Sequence, residues 1–461
     1  MLKRKIELQL VEWKKDPDRK PLIIKGCRQC GKTFSVMNFA KEHYKNVVYI
    51  NFIETPSYKT AFLGNLNVDN IVLMLSAQMG NKAIFEKGKT VLILDEIQDC
   101  PEARTALKFF KLDGKYDVLA TGSLLGVSGY GKSTASIPVG YETIIDMKPL
   151  DFEEFLWANG ISKQLIDLLN KSLEDETPVP EALHLRMKEL LLQYTVVGGM
   201  PDAVNEFVAT KQMNKVLQIQ QNIVNSYEDD MVKYASQNDK SLIKECFESI
   251  PKQLAKENKK FQYSTIRKGS TASRYMGSLQ WVENAGIITR CHNLSITELP
   301  LDGNAESDVF KVYMCDTGLF VSMLEPGTQF DILQGNLFGY KGAIFENLIA
   351  DIFNKMGRKL YYFHKDSGLE IDFVIRYQGA CTLVEVKSTN GNTKSTKTIL
   401  NHPEKYHVTH AIKLGDYNVG RSGMLLTLPT YMAFLLKPSD VDSIAISEND
   451  KAMLVEASNN D

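Results

Sequence analysis

This sequence of 461 residues has few cysteines and a net charge close to zero, and each of these features excludes a class of protein. Seven cysteines are too few for a disulfide scaffold, which indicates a reducing compartment. The 54 basic and 56 acidic residues leave a formal net charge of -2, so the chain as a whole is not a polybasic coat for nucleic acid. Any contact with nucleic acid must therefore come from a local basic patch.

Long apolar runs are also missing. Met1–Trp13 carries charges throughout, and the most apolar late stretch, Met424–Leu436, is too short to cross a bilayer and is interrupted by Pro429. We therefore expect a cytoplasmic protein without a membrane partner. At roughly 150 residues per domain, the length predicts about three domains.

The first 150 residues alternate short apolar runs with amphipathic stretches. The strand-like runs are Leu22–Ile24, Val47–Ile50, Val91–Leu94, Tyr116–Ala120 and Thr143–Ile145. Strands that alternate with helices are typical of a parallel sheet in an α/β domain. From Phe152 to about Tyr234 leucines recur at helical spacing instead, which predicts a helical region.

The segment Gly26–Thr33, the phosphate loop, fits the pattern G-x-x-x-x-G-K-[ST] and lies between a predicted strand and a predicted helix. In such a loop, glycines let backbone N–H groups surround phosphates, and the helix N-terminus adds partial positive charge. Lys32 is expected to reach the β- and γ-phosphates of ATP, and the Thr33 hydroxyl to ligate Mg²⁺. The residues predicted to contact nucleotide are Gly26, Cys27, Arg28, Gln29, Cys30, Gly31, Lys32 and Thr33.

Two acidic residues follow the third apolar run. Asp95 and Glu96 come directly after Val91–Leu94, so both carboxylates are expected at the carboxyl end of a buried strand. We expect Asp95 to bind nucleotide-associated Mg²⁺ and Glu96 to polarise the attacking water.

Two other patterns near the phosphate loop have simpler explanations. Gly126–Ser133 also fits the loop pattern, but no helix start follows it, so the anion site of a helix N-terminus is absent. Cys27 and Cys30 form a C-x-x-C pair, yet zinc would need further ligands. A redox role stays open, because helix N-termini lower the pKa of thiols. We favour the interpretation that both cysteines are variable loop positions.

Taken together, GCRQCGKT, VLILDEIQD, TGS, PLDFEEFLWA and VVGGMPDAV resemble a large prokaryotic family of AAA+-type ATPases, over about Pro21 to Leu436. The resemblance implies an α/β fold in which a P-loop parallel sheet with a helical lid precedes a winged helix and a restriction-endonuclease-like α/β domain. It also implies a catalytic sensor at the end of the fourth strand, supplied by Thr121 or Ser123. An ordinary strand-end turn is the alternative there.

One departure from the family concerns arginine. AAA+-type enzymes usually supply an arginine finger to the γ-phosphate of a neighbour, but no arginine lies between Arg104 and Arg186 here. Such a finger raises the rate by about 10³-fold or more. Slow hydrolysis, a finger from Arg104 or Arg186, and monomeric action all stay open, and the sequence does not predict the oligomeric state.

The segment Pro251–Tyr275 has a local charge of +6, from seven basic residues and one acidic residue. Its order of helix, turn at Gly269-Ser270, second helix and hairpin predicts a winged helix. The residues predicted to contact duplex DNA are Lys259, Lys260, Arg267, Lys268 and Arg274. The alternative is a module that binds protein and has a solvated basic face.

Acidic residues and a lysine recur near the end of the chain. Asp372 lies in a predicted strand, and Glu385 and Lys387 share one face of the next strand. With Glu346 on an upstream helix, they resemble the PD-(D/E)xK arrangement, in which Asp372 and Glu385 would bind Mg²⁺ for phosphodiester cleavage. The alternatives are a simple ion pair between Glu385 and Lys387, and an inactive scaffold that binds nucleic acid or protein.

The predicted domains are a P-loop core at 1–150, a helical lid at 151–236, a winged helix at 237–325, a nuclease-like domain at 326–438 and an acidic tail at 439–461. The main hypothesis is a Mg²⁺-dependent ATPase that is coupled to DNA. One alternative is a metal-dependent DNA nuclease with ATP as a regulatory ligand. Another is a nucleotide-dependent signalling switch that binds a protein partner.

Overall fold

The computed structural model describes residues 2–123, 140–234, 239–256, 260–336, 340–387 and 393–438. The second loop pattern at 126–133, Lys259 and the acidic tail at 439–461 therefore lie outside the described residues. In the part of the chain that is described, no helix is long and apolar enough to cross a membrane. All seven cysteines are described, and each is buried and free.

The N-terminal domain is built on a parallel sheet. In the described residues its strands are β1 (Leu22–Gly26), β2 (Asn46–Asn51), β3 (Thr90–Asp95), β4 (Asp117–Ser123) and β5 (Thr143–Met147). They pair in the order β2-β3-β4-β1-β5, and every neighbouring pair is parallel. The predicted parallel α/β sheet is confirmed. The order places β4 between β1 and β3, so the phosphate loop and the acidic strand end lie on either side of β4.

Helices cover both faces of this sheet. They are α1 (Ile6–Lys15), α2 (Lys32–His43), α3 (Val68–Met79) and α4 (Pro101–Asp113). Leu22 and Ile24 of β1 pack with α1 and α2, whereas Ile23 packs on the opposite side with α3 and α4. Burial on both faces explains why the strands are continuous apolar runs instead of alternating ones.

A helical region follows the sheet. It contains α5 (Phe152–Ala158), α6 (Lys163–Glu174), α7 (Glu181–Val197), α8 (Pro201–Thr210) and α9 (Met213–Tyr234). Helix α5 begins with a capping box, in which Asp151 accepts a hydrogen bond from the Glu154 amide and Glu154 accepts one from the Asp151 amide. This reciprocal cap explains why the segment PLDFEEF starts a helix at Phe152.

The turn between α7 and α8 is buried, and its two glycines, Gly198 and Gly199, have no room for a side chain. The Leu150 amide donates to Gly199 O at 2.7 Å, and the Gly199 amide donates to Asp316 Oδ2 at 2.7 Å. A Cβ on Gly199 would lie 2.0 Å from Leu150 O, and a Cβ on Gly318 would lie 2.5 Å from Gly198 N. These close backbone contacts join the N-terminal domain, the helical region and the C-terminal half.

A helix-turn-helix and a hairpin come next, in the predicted order. The elements are α10 (Lys240–Leu254), α11 (Tyr263–Ile266), α12 (Ala272–Asn284), β6 (Ile288–Leu294) and β7 (Ala305–Met314). Strands β6 and β7 are antiparallel, with Ile288 opposite Met314. The assignment of this unit as a winged helix stays a prediction.

The C-terminal region contains helices and the strands of two further sheets. Its helices are α13 (Thr317–Ser322), α14 (Thr328–Gln334), α15 (Lys341–Lys355), α16 (Lys394–Leu400) and α17 (Pro403–Tyr406). Its strands are β8 (Leu360–His364), β9 (Glu370–Ile371), β10 (Phe373–Tyr377), β11 (Ala380–Val386), β12 (His410–Gly415), β13 (Gly420–Ser422) and β14 (Leu425–Pro429). Strand pairing gives two sheets, β10-β11-β12-β14-β13 and β7-β6-β8-β9.

Two features of this region were not expected from the sequence. The run Glu370–Ile375 is divided at Asp372 into β9 and β10. In addition, β6 pairs in parallel with β8, so one sheet crosses the predicted domain boundary at residue 325. The hairpin and the C-terminal region therefore share backbone hydrogen bonds.

Candidate nucleotide-binding site

The phosphate loop connects β1 to α2, as the motif predicts. Gln29 and Gly31 have positive φ angles of 60° and 94°, which allow the tight curl of the loop. Lys32 Nζ donates hydrogen bonds to the carbonyls of Gly26 at 3.1 Å and Cys27 at 2.8 Å. The lysine ammonium therefore lies over the loop, where it would meet bound phosphate.

One position of the phosphate loop, Gln29, reaches the helical region. Arg28 and Gln29 are exposed, and Gln29 Nε2 lies 3.5 Å from Ser226 Oγ of α9. Cys27 and Cys30 are buried, and the hydrogen bond from the Cys27 thiol lowers the pKa of Cys30 to about 6. The same bond, together with burial, raises the pKa of Cys27. This pair packs inside the loop, and the described residues supply no further zinc ligands to it.

Asp95 is the centre of the polar cluster at the end of β3. It is 3% exposed, and its carboxylate accepts hydrogen bonds from Thr33 Oγ1 at 3.1 Å and from the Thr121 hydroxyl. It also accepts hydrogen bonds from the Tyr49 hydroxyl at 2.7 Å and from Asn51 Nδ2 at 3.3 Å. The structure thus brings Thr33 and Asp95 together, as the motifs predict.

This cluster fits Mg²⁺. The cation prefers oxygen ligands and is commonly held by one or two carboxylates together with substrate phosphates. Thr33 and Asp95 present a hydroxyl and a carboxylate beside the phosphate loop. Both residues would therefore serve as ligands when MgATP is bound.

Tyr49 and Asn51 were missed by the sequence analysis. Both lie on β2, and Asn51 is directly opposite Asp95 in the parallel register of β2 and β3. Burial and the hydrogen bond to Asp95 raise the pKa of Tyr49, so its hydroxyl keeps its proton and acts as a donor. In the sequence, these two residues are marked only by their polar groups at the carboxyl end of the apolar run Val47–Ile50.

Glu96 is held in an unusual backbone conformation directly after Asp95. Its φ of 55° and ψ of 48° are left-handed, which is uncommon for a residue other than glycine and is often found at functional sites. The half-buried carboxylate accepts a hydrogen bond from Gln98 Nε2 at 2.5 Å. The conformation fixes Glu96 at the end of β3, where its amide donates a hydrogen bond to Asp95 Oδ1 at 3.1 Å.

The two candidate sensor residues occupy different positions on β4. Thr121 is fully buried and contacts Asp95, whereas Ser123 lies opposite Gly26 at the beginning of the phosphate loop. Both residues therefore belong to the same site. Thr121 orients the acidic centre, and Ser123 is the closer of the two to the loop backbone.

Both arginines considered as fingers have acidic partners within their own chain. Arg104 makes a bidentate pair with Glu142, with N–O distances of 2.6 and 3.2 Å, and this pair is mostly buried. Arg186 pairs with Glu189 at 2.6 Å on the surface of α7. Neither guanidinium is directed at the phosphate loop by these contacts.

Comparison with known protein families agrees with this geometry. Residues 18–156 match a family model described as an AAA domain. This part of the chain is therefore similar to an AAA domain, and it contains the phosphate loop and Asp95. Residues 188–329 and 341–431 match models for two domains of unknown function, DUF8612 and DUF4143. A search of curated proteins finds no match to the chain.

Several solved structures align with the chain at low identity. A Walker-type ATPase of Pyrococcus abyssi is 13% identical, and the alignment covers 70% of this chain and 96% of that chain with a TM-score of 0.41. The ORC2 protein of Aeropyrum pernix is also 13% identical, with coverages of 69% and 89% and a TM-score of 0.33. The ORC1 protein of the same organism, solved in complex with DNA, is 12% identical, with coverages of 73% and 93% and a TM-score of 0.27.

The predicted nuclease-like residues lie in the C-terminal half, beside a lysine that the sequence analysis did not select. Glu346 on α15 is buried, and its Oε1 accepts hydrogen bonds from Lys311 Nζ at 3.1 Å and from the Tyr313 hydroxyl. Lys311 on β7 is 2% exposed and also donates to Glu370 Oε1 at 3.0 Å. This buried lysine neutralises the helical carboxylate.

The other predicted nuclease-like residues, Asp372, Glu385 and Lys387, lie around the end of β11. Asp372 Oδ2 accepts a hydrogen bond from the Val386 amide at 2.8 Å. Glu385 lies 2.9 Å from Lys387 Nζ and also accepts a hydrogen bond from the Thr396 hydroxyl. Within the described residues, no three His, Cys, Asp or Glu side chains are placed to hold a metal ion. Lys387 also interacts electrostatically with Asp372, so Asp372, Glu385 and Lys387 lie near one another, and Mg²⁺ ligation by Asp372 and Glu385 stays a prediction.

The basic residues cluster around the beginning of α12. Lys260, Arg267, Lys268 and Arg274 are all exposed, and the Arg274 guanidinium lies 5.6 Å from the ring centroid of Tyr275. The first turns of α12 expose small or flexible side chains, at positions 272, 273, 276 and 277. The surface is therefore positively charged, and the exposed side chains of α12 within it are small or flexible.

Proposed function

We propose that this chain is a Mg²⁺-dependent ATPase. The observation that carries the proposal is that Lys32 and Thr33, which follow β1, and Asp95 and Glu96, at the end of β3, meet at one edge of the parallel sheet. Phosphoryl transfer depends on positioning and charge stabilisation, and these residue types supply both. The AAA-domain match over residues 18–156 supports the same chemistry.

The proposed reaction transfers the γ-phosphoryl group of ATP to water. Lys32 exchanges the carbonyls of Gly26 and Cys27 for the β- and γ-phosphates. Glu96 orients the water and accepts its proton as the bond between the γ-phosphorus and the bridging oxygen breaks, which yields ADP and inorganic phosphate. When bound, Mg²⁺ would offset negative charge on the phosphates, with Thr33 and Asp95 as its protein ligands.

The first test is ATP turnover by the purified full chain, beside Lys32→Ala and with or without duplex DNA. We expect the variant to bind ATP about a hundredfold more weakly, because charge-assisted hydrogen bonds to two phosphates are lost. Turnover that depends on Lys32 and rises with DNA would support a DNA-coupled ATPase. Turnover indifferent to DNA would indicate a protein partner, and turnover equal in both proteins would contradict hydrolysis at this site.

A DNA-binding role for the helix-turn-helix unit is the second part of the proposal. The supporting observation is the exposure of Lys260, Arg267, Lys268 and Arg274 around the start of α12 in a chain whose net charge is -2. These lysine and arginine side chains would contact DNA phosphates. The exposed face of α12, with its small side chains, would enter the major groove.

DNA binding by this surface should depend on salt. We expect the double variant Arg267→Ala/Lys268→Ala to reduce the slope of log affinity against log salt by about 2, since each lost phosphate contact removes about 0.9. Lys82→Ala/Lys87→Ala is a matched control, because both lysines are exposed on the P-loop domain. Fluorescence anisotropy with a generic duplex measures both slopes, and equal slopes in the two variants would exclude the proposed surface.

A further inference from the structure

Arg4 lies against the phosphate loop, although 26 positions separate it from Cys30. Its side chain is buried, and its guanidinium donates to acceptors from different elements. One terminal nitrogen donates to Cys30 O at 3.0 Å, and the other donates to Lys148 O at 2.7 Å, just beyond β5. The remaining nitrogen, Nε, donates to Glu154 Oε1 at 3.1 Å.

The contact with Cys30 bears directly on phosphate binding. A phosphate loop presents amides to the anion, so its carbonyls must find donors elsewhere. A trans peptide unit is planar, with its C=O and N–H on opposite sides. Since Arg4 holds the Cys30 carbonyl, the Gly31 N–H of the same peptide points away from Arg4. Arg4 therefore fixes the direction of the Gly31 N–H in the phosphate loop.

The contact with Glu154 connects this end of the loop to the helical region. Glu154 is 4% exposed, and its carboxylate also accepts hydrogen bonds from the amides of Lys5 at 2.6 Å and Asp151 at 3.0 Å. Lys5 Nζ adds ion pairs to Asp151 at 2.5 Å and Glu153 at 2.7 Å. The start of α5 is thus held by the same N-terminal segment that holds the loop.

We propose that Arg4 is a positioning residue for the nucleotide. It sets the orientation of the Gly31 amide toward the phosphates, and Glu154 in turn holds Arg4 in place. Nucleotide affinity then depends on a side chain outside the loop motif, and on the capping box of α5. The inference rests on the proposed ATP site.

The test is nucleotide binding and steady-state turnover by Arg4→Lys. Lysine keeps the buried positive charge beside Glu154 but cannot reach all the acceptors of a guanidinium. We expect the Kd and KM for ATP to rise about tenfold, the effect of one hydrogen bond to a charged group, with kcat unchanged. Arg19→Lys is the matched control, because Arg19 makes a bidentate pair with Asp117 at 2.8 and 3.0 Å that does not touch the loop. The control should retain wild-type affinity.

Glu154→Gln tests the second step of the inference. We expect the variant to raise the Kd about threefold, and Arg4→Lys/Glu154→Gln to bind no more weakly than Arg4→Lys alone, because Glu154 acts through Arg4. Additive losses would show that Glu154 does not act through Arg4. Thermal unfolding confirms that each variant is folded at the assay temperature.

The wild type and Lys32→Ala are measured in the same titrations. If Lys32→Ala binds ATP about a hundredfold more weakly than the wild type, the proposed ATP site stands. Wild-type affinity in Arg4→Lys would then overturn only the role of Arg4. An Arg4→Lys variant that loses kcat at unchanged KM would also overturn it. If the wild type binds no ATP, the proposed function and this inference fail together.

Discussion

Replacing Glu96 with glutamine should lower kcat for ATP about a thousandfold and leave ATP affinity within about twofold. General base catalysis contributes about 10²–10⁴-fold, and an amide cannot accept the proton of the attacking water. Affinity should persist because Glu96 contacts Gln98, whereas the proposed phosphate contact is made by Lys32 and the proposed Mg²⁺ contacts by Thr33 and Asp95. Single-turnover hydrolysis measures the first effect, and titration with a fluorescent ATP analogue measures the second.

Glu102→Gln is the matched control for this experiment. Glu102 lies in the first turn of α4, six positions after Glu96, and is not part of the cluster around Asp95. The control should hydrolyse ATP at the wild-type rate. Wild-type turnover in Glu96→Gln would remove Glu96 from the proposed mechanism, and a lost affinity for ATP would reassign it to nucleotide binding.

Replacing Lys355 with methionine should lower the free energy of unfolding by about 3–5 kcal/mol, the usual cost of removing one partner from a buried ion pair. Lys355 Nζ lies 3.1 Å from Asp316, 2.9 Å from Asp351 and 3.0 Å from the Tyr194 hydroxyl. All these side chains are almost completely buried. Methionine preserves the packing volume, so the loss would come from uncompensated charge.

The carboxylates of this network make the effect large. Burial raises the pKa of Asp351 to about 6 even with Lys355 beside it, and Asp316 also accepts the Gly199 amide of the turn between α7 and α8. Without the lysine, the buried Asp351 carboxyl must be protonated or solvated for the chain to fold. The destabilisation should therefore affect the junction of the helical and C-terminal regions.

Equilibrium unfolding in denaturant measures this prediction. Lys359→Met is the control, because Lys359 pairs with Asp302 at 2.9 Å while both side chains are mostly exposed. Exposed pairs contribute about 1 kcal/mol or less, so the control should unfold close to the wild type. Equal effects of the two substitutions would show that the buried network does not contribute through its charge.

The phosphate loop and the acidic strand end could be predicted because each is contiguous in the sequence. Gly26–Thr33 carries its own conformational requirements, and the apolar run before Asp95 identifies a buried strand without reference to any distant residue. The same applies to the parallel sheet, since alternating strands and helices leave little choice of architecture.

The partners of these motifs were not predictable, because they come from distant positions. Asn51 meets Asp95 through the register of two strands, and Arg4 meets Cys30 and Glu154 through the packing of α1 beside the sheet. The pairing of Glu346 with Lys311 is of the same kind, because the sequence shows both charges but not their distance.

The sequence by itself determined the P-loop domain, the residues expected to touch ATP, and the order of the helix-turn-helix and hairpin. Only the tertiary structure decided which charges are neutralised. It surrounded Asp95 with neutral donors, whereas it gave Glu346, Glu385 and Asp351 lysine partners. The physical reason is that desolvation and pairing depend on neighbours in space, so a carboxylate is a candidate metal ligand beside Thr33 and part of a structural ion pair beside Lys355.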